Sequence, residues 1–567
     1  VIVKIFGPPG TGKTTTLVRK ITELCEKYEP WEILVSSFTR AAARELVRRD
    51  LPIPEENIGT LHAICWRALG RPKIAELHLK LWNEEHPDYA ITTDGTVDVD
   101  DPNVMPSGQS EGARLMSQYQ ILRSKMIPQD EWDEEVFKFH LKWKGWKADH
   151  EFEDFTDLIE RGILALPAPP DGQRVAFFDE AQDFTKLEMT LAMQWAEQIE
   201  LAYFVGDDDQ AIYGFKGGDN KTFYRGPADE KEYLIQSYRL PEAIVRKALT
   251  FIEQVEDREY KTFRPREEQG RVIEESAGFK RGDLIVDIAE GYVRQGKTVM
   301  ILASCSYMLD PIKQALYATG LPWHNPYRLR RGDWNPMRRS SENRKTTLGR
   351  ILEFFMQSDE EPPLRKLRVS EPGGPFYMAD GWPLWTVDEF KSFLALLSTE
   401  KLRRKGKKGF KAALAVLSEP DVMTAPHFYN PRYQNVLHTW AHEWLSDEAI
   451  LKLSSACRKW DLTYLQEVAL AQKKDAMNFP QNVLSKQGLP ALCDQPKVVI
   501  GTIHSVKGGE ADVVILFPDL SPSSMMGYLE GGDVRDDVIR QMYVGMTRAR
   551  ETLVLCGPSS PNAVNWT

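Results

Sequence analysis

The chain opens on VIVKIFGPPGTGKTTTLVRKITELCEKY, in which an apolar run meets the spacing G-x-x-x-x-G-K-T from Gly7 to Thr14 and then a helical stretch. No other feature constrains the fold as strongly. An apolar run ending in glycines predicts a buried strand that turns sharply into a helix, the opening of an α/β layer. Glycines let backbone N–H groups converge on phosphate oxygens at the helix N-terminus, where the dipole also favours negative charge. Gly7, Pro8, Pro9, Gly10, Thr11, Gly12, Lys13, Thr14 and Thr15 are therefore candidate nucleotide contacts. Lys13 is expected at the β- and γ-phosphates, and the Thr14 hydroxyl at Mg2+. The competing reading, a glycine turn that binds nothing, is weakened by the strand and helix around it.

The stretch RVAFFDEAQD (174–183) supplies a second half. A buried strand delivers Asp179 and Glu180 at its C-terminal end, where open α/β sheets bind ligands. Asp179 is expected to hold Mg2+, and Glu180 to orient and deprotonate an attacking water. A strand ending in two acids means little alone. With the phosphate loop it points to an NTPase.

Six further segments complete the series: ILVSSFTRAAARELVRR (33–49), IGTLHAICWRAL (58–69), FVGDDDQAIYGFKG (204–217), LIQSYRLPEAIV (234–245), VVIGTIHSVKGGEADVVILF (498–517) and RQMYVGMTRARETLVL (540–555). From Gly7 to Arg550 this series resembles the ordered motifs of superfamily 1 helicases of the UvrD/Rep/PcrA type. The long segments between the motifs show no such match.

The resemblance implies roles residue by residue. Gln210 resembles a γ-phosphate sensor, and Tyr238 the residue that stacks on adenine. Arg239 and Arg548 resemble paired arginine fingers, whose guanidinium planes grip phosphate oxygens and stabilise transition-state charge. Glu510 resembles a bridge between nucleotide sugar and motor cleft. Tyr213 and Phe215 resemble a platform for bases of single-stranded DNA, with Phe38 as partner. Stacking is sequence-tolerant, which suits a translocase. Thr60, His62, Thr502 and His504 resemble contacts to the tracked strand. For Phe38 a core role competes, and for His62 and His504 a packing role.

Departures are few. Gly509 stands where a large apolar residue is commoner, and Phe215 where tryptophan is frequent. Family members usually carry a glutamine-containing segment before the phosphate loop. The sequence given starts at Val1, so weak discrimination among purine triphosphates is expected. Nothing in the sequence after Arg550 resembles a nuclease.

The fold class expected is α/β, with two RecA-like parallel-sheet motor domains, each carrying a mainly helical insertion. Residues 1–70 and 171–235 would form domain 1A, 71–170 insertion 1B, 236–327 and 494–567 domain 2A, and 328–493 insertion 2B. A chain of 567 residues is too long for one ordinary core. Its six cysteines are scattered without a CxxC pair, which argues against a zinc site, an iron–sulfur cluster or a disulfide framework. No apolar run reaches the ~20 residues of a membrane span and no signal peptide precedes the first strand, so a cytoplasmic location and no membrane partner are expected. The net charge of −11 argues against a protein that simply coats nucleic acid. Basic islands at 328–350 and 401–411 are either solvated loops or phosphate contacts.

The expected activity is an ATP-dependent DNA helicase that translocates on single-stranded DNA, 3′ to 5′ by resemblance, and engages single-strand/duplex junctions. ATP and Mg2+ are the expected cofactors. Two alternatives stay open: a translocase that does not unwind, and a nucleic-acid-binding subunit of a larger complex.

Overall fold

The protein is described from a computed structural model, which covers residues 1–38, 51–92, 110–328, 387–417, 431–459 and 462–566, with 43, 46–47, 49, 335–336, 340–341 and 344–345 between them. Most of the basic island at 328–350 lies outside the described residues. The chain divides into two compact units: Val1–Arg281 with Lys297–Asp310 and Gly501–Thr567, and Gly282–Gly296 with Pro311–Ile500.

In the first unit, β1 (Ile2–Phe6), β2 (Ile33–Ser37), β3 (Ile58–Gly59), β4 (Val175–Asp179), β5 (Leu201–Gly206) and β6 (Glu230–Tyr233) form a sheet in the order β3-β2-β4-β5-β1-β6. All its pairings are parallel. Every residue of β1, β2 and β4 is buried, which is why these strands, Lys4 and the closing Ser36, Ser37 and Asp179 apart, read as apolar runs rather than alternating ones. Successive side chains still serve opposite layers. Phe6, Leu34, Ala176, Phe178 and Phe204 face one core with the helices Leu61–Ala68 and Lys186–Gln198. Ile5, Ile33, Val35, Phe177 and Val205 face another with Lys13–Leu24. Parallel register brings Phe6 beside Gly206 and Asp179 beside Val205 and Ser37, so the functional segments leave the sheet along one edge.

A second parallel sheet begins after β7 (Gln236–Pro241). Its strands are β8 (Arg271–Glu275), β9 (Val299–Ala303), β10 (Trp323–His324), β11 (Val498–Thr502), β12 (Ala511–Leu516) and β13 (Ala549–Cys556), of which β9, β11 and β12 are again largely apolar while β8 carries three charged residues. The first unit holds the run β8-β13-β12-β9, and in the second unit Trp323 and His324 of β10 pair with Val498 and Val499 of β11. The expected α/β class with two parallel sheets is therefore the observed one.

The polar, tryptophan-containing stretch after β3 has a core of its own, with Trp82, Trp143, Trp146, Phe139 and Tyr119 packed together. At its base Asp154 is 1% exposed. It accepts from Arg123 (3.0 Å), Lys147 (2.6 Å), Trp143 Nε1 (3.0 Å) and Tyr119 Oη (3.3 Å), and it caps the helix Phe155–Ala165 through Asp157 N (2.8 Å). Burial opposes the charge on Asp154, but Arg123 and Lys147 outweigh it and hold the carboxyl below the ordinary range. That helix places Leu158 and Ile159 in the core of the first sheet.

In the second unit the described residues are mainly helical, with Trp440 packed between Phe390 and Phe410. The basic island at 401–411 is partly paired there: Arg404 meets Asp447 at 2.5 Å, and Lys407 meets Glu443 at 2.8 Å over the Trp444 ring. Among the described residues no helix is long and apolar enough to cross a membrane.

Asp154→Ala should cost about 2–4 kcal/mol of stability, because it removes the helix cap and the acceptor of buried Trp143 and Tyr119, and leaves Arg123 and Lys147 with Asp157 and Glu160 alone. Urea unfolding of the variant against the parent protein measures it.

Candidate functional site

The loop after β1 is held tightly. Gly7 N donates to Gly206 O (2.9 Å), and Thr11 donates to Pro8 O through both N and Oγ1. Gly10 and Gly12 take φ of 72° and 78°, which L side chains rarely adopt. A Cβ on Gly10 would lie 2.4 Å from Arg239 Cβ, so glycine is also what lets β7 approach. Ser237 Oγ donates to Pro9 O and Tyr238 N to Gly10 O, both at 2.8 Å. The helix Lys13–Leu24 starts at Gly12 with neither a side-chain cap nor an acidic residue in its first turn, which leaves N–H groups turned to the loop. Thr14 and Thr15 lie in that turn, and Lys13 Nζ donates to Gly7 O (2.8 Å). Tyr238 is 73% exposed, with its ring beside Gly12.

Asp179 ends β4, buried, and Glu180 follows in a left-handed conformation at φ 53°. Gln182 ties this turn together, donating to Glu180 (2.5 Å) and Asp183 (3.1 Å) while accepting from Asp207 N (3.0 Å). Burial works against ionisation of Glu180. The charges of Lys13 and Lys507 outweigh it and, with the Gln182 hydrogen bond and Arg548, hold the carboxyl below its usual value. Among the described residues no cluster of three His, Cys, Asp or Glu could hold a metal alone. Mg2+ beside a nucleotide commonly takes only one or two carboxylates, with phosphate oxygens and waters completing the shell. Thr14 and Asp179 fit that use, and Ser37 Oγ, buried beside Asp179 in register, has no hydrogen-bond partner among the described residues.

The acidic run after β5 is not a solvated loop. Asp207, Asp208 and Asp209 are each at most 1% exposed. Lys261 Nζ reaches all three, at 3.1, 2.6 and 2.8 Å, and Arg258 holds Asp209 at 2.7 and 2.5 Å. Burial pushes Asp208 up to about 6 despite Lys261. Gln210 follows, its Nε2 donating to Asp207 Oδ2 (2.6 Å) and its Oε1 accepting from Arg548 (3.0 Å).

Arg548 is 2% exposed, and it donates to neutral acceptors: Val544 O (3.0 Å), Gly509 O (3.4 Å) and the Gln210 amide. Burial and then the charge of Arg239 push it down to about 9. A guanidinium stays charged at neutral pH, so this is a desolvated cation suited to an anion. Arg239 pairs with Glu510 at 2.7 Å, and Arg550 reaches the same carboxylate at 3.4 Å.

Three residues beyond Gln210 the chain turns into a row of rings. Tyr213 lies 5.4 Å from Phe38, 6.1 Å from Phe215 and 6.0 Å from His504, and Phe215 meets His504 edge-on at 5.3 Å. Phe38, Tyr213 and Phe215 are half-buried, as a surface platform requires. His504 is mostly buried, with Nε2 on Ile212 O (2.9 Å) and Nδ1 near Gln541 (3.2 Å). Thr60 caps the helix Leu61–Ala68 through Ala63 N, and Thr502, fully buried, accepts from Ser505 N. His62 has its Nδ1 3.4 Å from Glu188 and its ring edge-on to Phe155 at 6.2 Å. The aromatic residues and His504 are thus brought together. The two threonines act here as local caps.

Lys507, Lys261 and Arg258 were not among the residues expected from sequence. Lys507 Nζ pairs with the Asp183 carboxylate, donates to Gln210 O (2.9 Å) and lies 5.0 Å over the Tyr213 ring. It touches the segments that carry Glu180, Gln210 and the platform at once. The available signal was charge: buried acids at strand ends require cations, and SVKGGE and VEDREYKTF carry them.

Residues 2–230 match the family described as UvrD/REP helicase N-terminal domain, and residues 497–556 the UvrD-like helicase C-terminal domain. The chain is 26% identical over 288 residues to the ATP-dependent DNA helicase PcrA of Staphylococcus epidermidis, a match covering 45% of this chain and 38% of that relative's length. It is 21% identical to the PcrA of Staphylococcus aureus strain MRSA252 across 98% of this chain and 81% of the relative. To the probable DNA helicase II homolog of Rickettsia felis it is 22% identical, over 96% and 88%.

Burial raises Asp183 to about 6, with Lys507 working against the rise. This folded value exceeds that of an ordinary aspartate, so the Lys507–Asp183 attraction is absent at pH 5 and develops as pH rises through about 6. Lys507→Met should therefore cost more at pH 7.5 than at pH 5, by up to about 2 kcal/mol, while the loss of its support to Glu180 and Gln210 is felt at both. Urea unfolding of both proteins at the two pH values reads the difference.

Proposed function

The chain belongs to the UvrD/Rep/PcrA type of superfamily 1 helicases, and from that footing we propose that it is an ATP-driven DNA helicase moving 3′ to 5′ along single-stranded DNA. One observation carries the reading. A single short segment meets Arg548 through Gln210 at one end and presents Tyr213 and Phe215, with Phe38 and Lys507, at the other. A change at the γ-phosphate is then transmitted over three residues to the surface on which bases stack.

The division of labour follows. The backbone of Gly7–Thr15 and the Lys13 ammonium bind the phosphates of ATP, and the exposed Tyr238 ring stacks on adenine. Thr14 and Asp179 hold Mg2+, which when bound neutralises phosphate charge. Glu180, kept ionised by Lys13 and Lys507, orients the attacking water and takes its proton. Arg239 and Arg548 stabilise charge on the transferred phosphoryl group, and Gln210 senses it. Glu510 holds Arg239 at the cleft. Tyr213, Phe215 and Phe38 stack bases, while Thr60, His62, Thr502 and His504 line the strand's path. The domain scheme goes with this reading: 1A and 2A as motors, 1B and 2B as insertions contacting the junction.

Lys13→Ala should abolish ATP hydrolysis, and Glu180→Gln should keep ATP binding while suppressing turnover. Near-normal turnover in Glu180→Gln removes that residue from its role. Replacing Tyr213 and Phe215 together by Ala should cost roughly 2–6 kcal/mol of strand affinity, for two stacked bases. Affinity that falls only in step with the folded fraction would return both rings to a core role. Strand displacement on 3′- and 5′-tailed duplexes, with ATP turnover measured with and without single strand, tests the activity itself. Stimulated turnover without displacement would make the protein a translocase, and turnover indifferent to DNA would overturn the motor reading.

A further inference from the structure

Lys261 lies outside the motif series, yet its ammonium is among the most enclosed charges of the first unit, at 5% exposure. It reaches one oxygen of each of three consecutive carboxylates. Two of those have other supports: Arg258 holds Asp209 through two nitrogens, and Glu259 N donates to Asp208 at 2.8 Å. Asp207 differs in its second oxygen. Its Oδ1 meets Lys261 and the N–H of Asp209 (3.3 Å), and its Oδ2 accepts from Gln210 Nε2.

A glutamine amide has two ends of nearly equal size, and its orientation is set by what each end meets. An ionised carboxylate only accepts, so Asp207 takes the NH2 end. The amide oxygen is thereby turned to Arg548. The relay runs from Lys261 Nζ to Asp207 (3.1 Å), from Asp207 to Gln210 (2.6 Å) and from Gln210 to Arg548 (3.0 Å). Without the ammonium, three adjoining buried carboxylates repel one another with Arg258 alone to oppose them, and Asp207 and Asp208 are both left without a cation. Of these two, Asp207 is the one that holds Gln210.

We propose that Lys261 is a positioning residue for ATP hydrolysis, holding Asp207 so that its carboxylate fixes the Gln210 amide with the oxygen toward Arg548. The inference rests on the reading of Gln210 as the γ-phosphate sensor. It adds that the sensor's orientation is set by a lysine contributed after β7, some fifty residues further along the chain, and not by the nucleotide alone.

The test is a double-mutant cycle on the full chain, with strand-stimulated kcat, KM for ATP and melting temperature measured for each variant. Lys261→Met should lower kcat at least tenfold with KM within about twofold. In a Gln210→Ala background the same change should alter kcat by less than about twofold, because the amide it positions is gone. Lys261→Met with Asp208→Asn removes one charge of each sign; it should recover the melting temperature but not kcat. A further tenfold loss in the Gln210→Ala background, or kcat recovering together with the melting temperature, overturns the proposal. So does failure of both Lys261 variants to fold, which would make Lys261 a stabilising cation only. Wild-type kcat in Gln210→Ala alone would instead overturn the sensor reading, and this inference with it, before Lys261 is altered.

Discussion

Burying carboxylates at the C-terminal edge of the first sheet obliges the rest of the first unit to supply cations there. Asp183, Asp207, Asp208 and Asp209 are all at most 2% exposed, and an unpaired charge in such surroundings costs several kcal/mol. The cations come from far along the chain: Arg258 and Lys261 from the segment after β7, and Lys507 from the turn after β11. These ion pairs tie the edge of one parallel sheet to segments associated with the other. They are directional contacts between ionised groups, so a shift of either side changes what the other meets.

That requirement explains why so much chemistry converges on a few residues. Arg548 is buried against neutral acceptors, Glu180 is kept ionised by lysines on two different segments, and Gln210 is held at both ends of its amide. Desolvated groups of this kind interact strongly with an incoming anion, because little water stands between them. The same backbone continues into Tyr213 and Phe215, whose rings lean on Phe38 and His504. The Gln210–Arg548 contact and the row of rings are therefore joined by covalent geometry over a handful of residues, with no need for a long chain of packed intermediates.

Much of this was legible before any fold was known. The burial of β1, β2 and β4 was visible as largely apolar runs without alternation, because strands covered on both faces need none, although Lys4 within β1 is buried too. The phosphate loop was visible because its glycines answer a local steric demand: Gly10 and Gly12 sit at positive φ, and β7 passes where a Cβ on Gly10 would be. The aromatic residues at 213 and 215 were legible as a pair, though not their partnership with His504. In the structure the Thr60 hydroxyl caps a helix and the Thr502 hydroxyl accepts from Ser505 N, local bonds that do not bear on their expected role on the strand. An N-cap and a ligand contact ask for the same small hydroxyl, so residue type alone does not separate them.

The sequence by itself determined the elements whose causes are local: buried parallel strands, the glycine loop, the acids that end β4, and the segments that mark the family. Tertiary structure alone decided which charges meet. The three aspartates after β5 read as a polar run, since a carboxylate's preference for water is overruled only by cations that sequence proximity does not reveal. Lys261 is about fifty residues from them, and Lys507 lies 324 residues from Asp183. Electrostatic pairing acts through space, over a few ångströms, and it carries no periodicity along the chain.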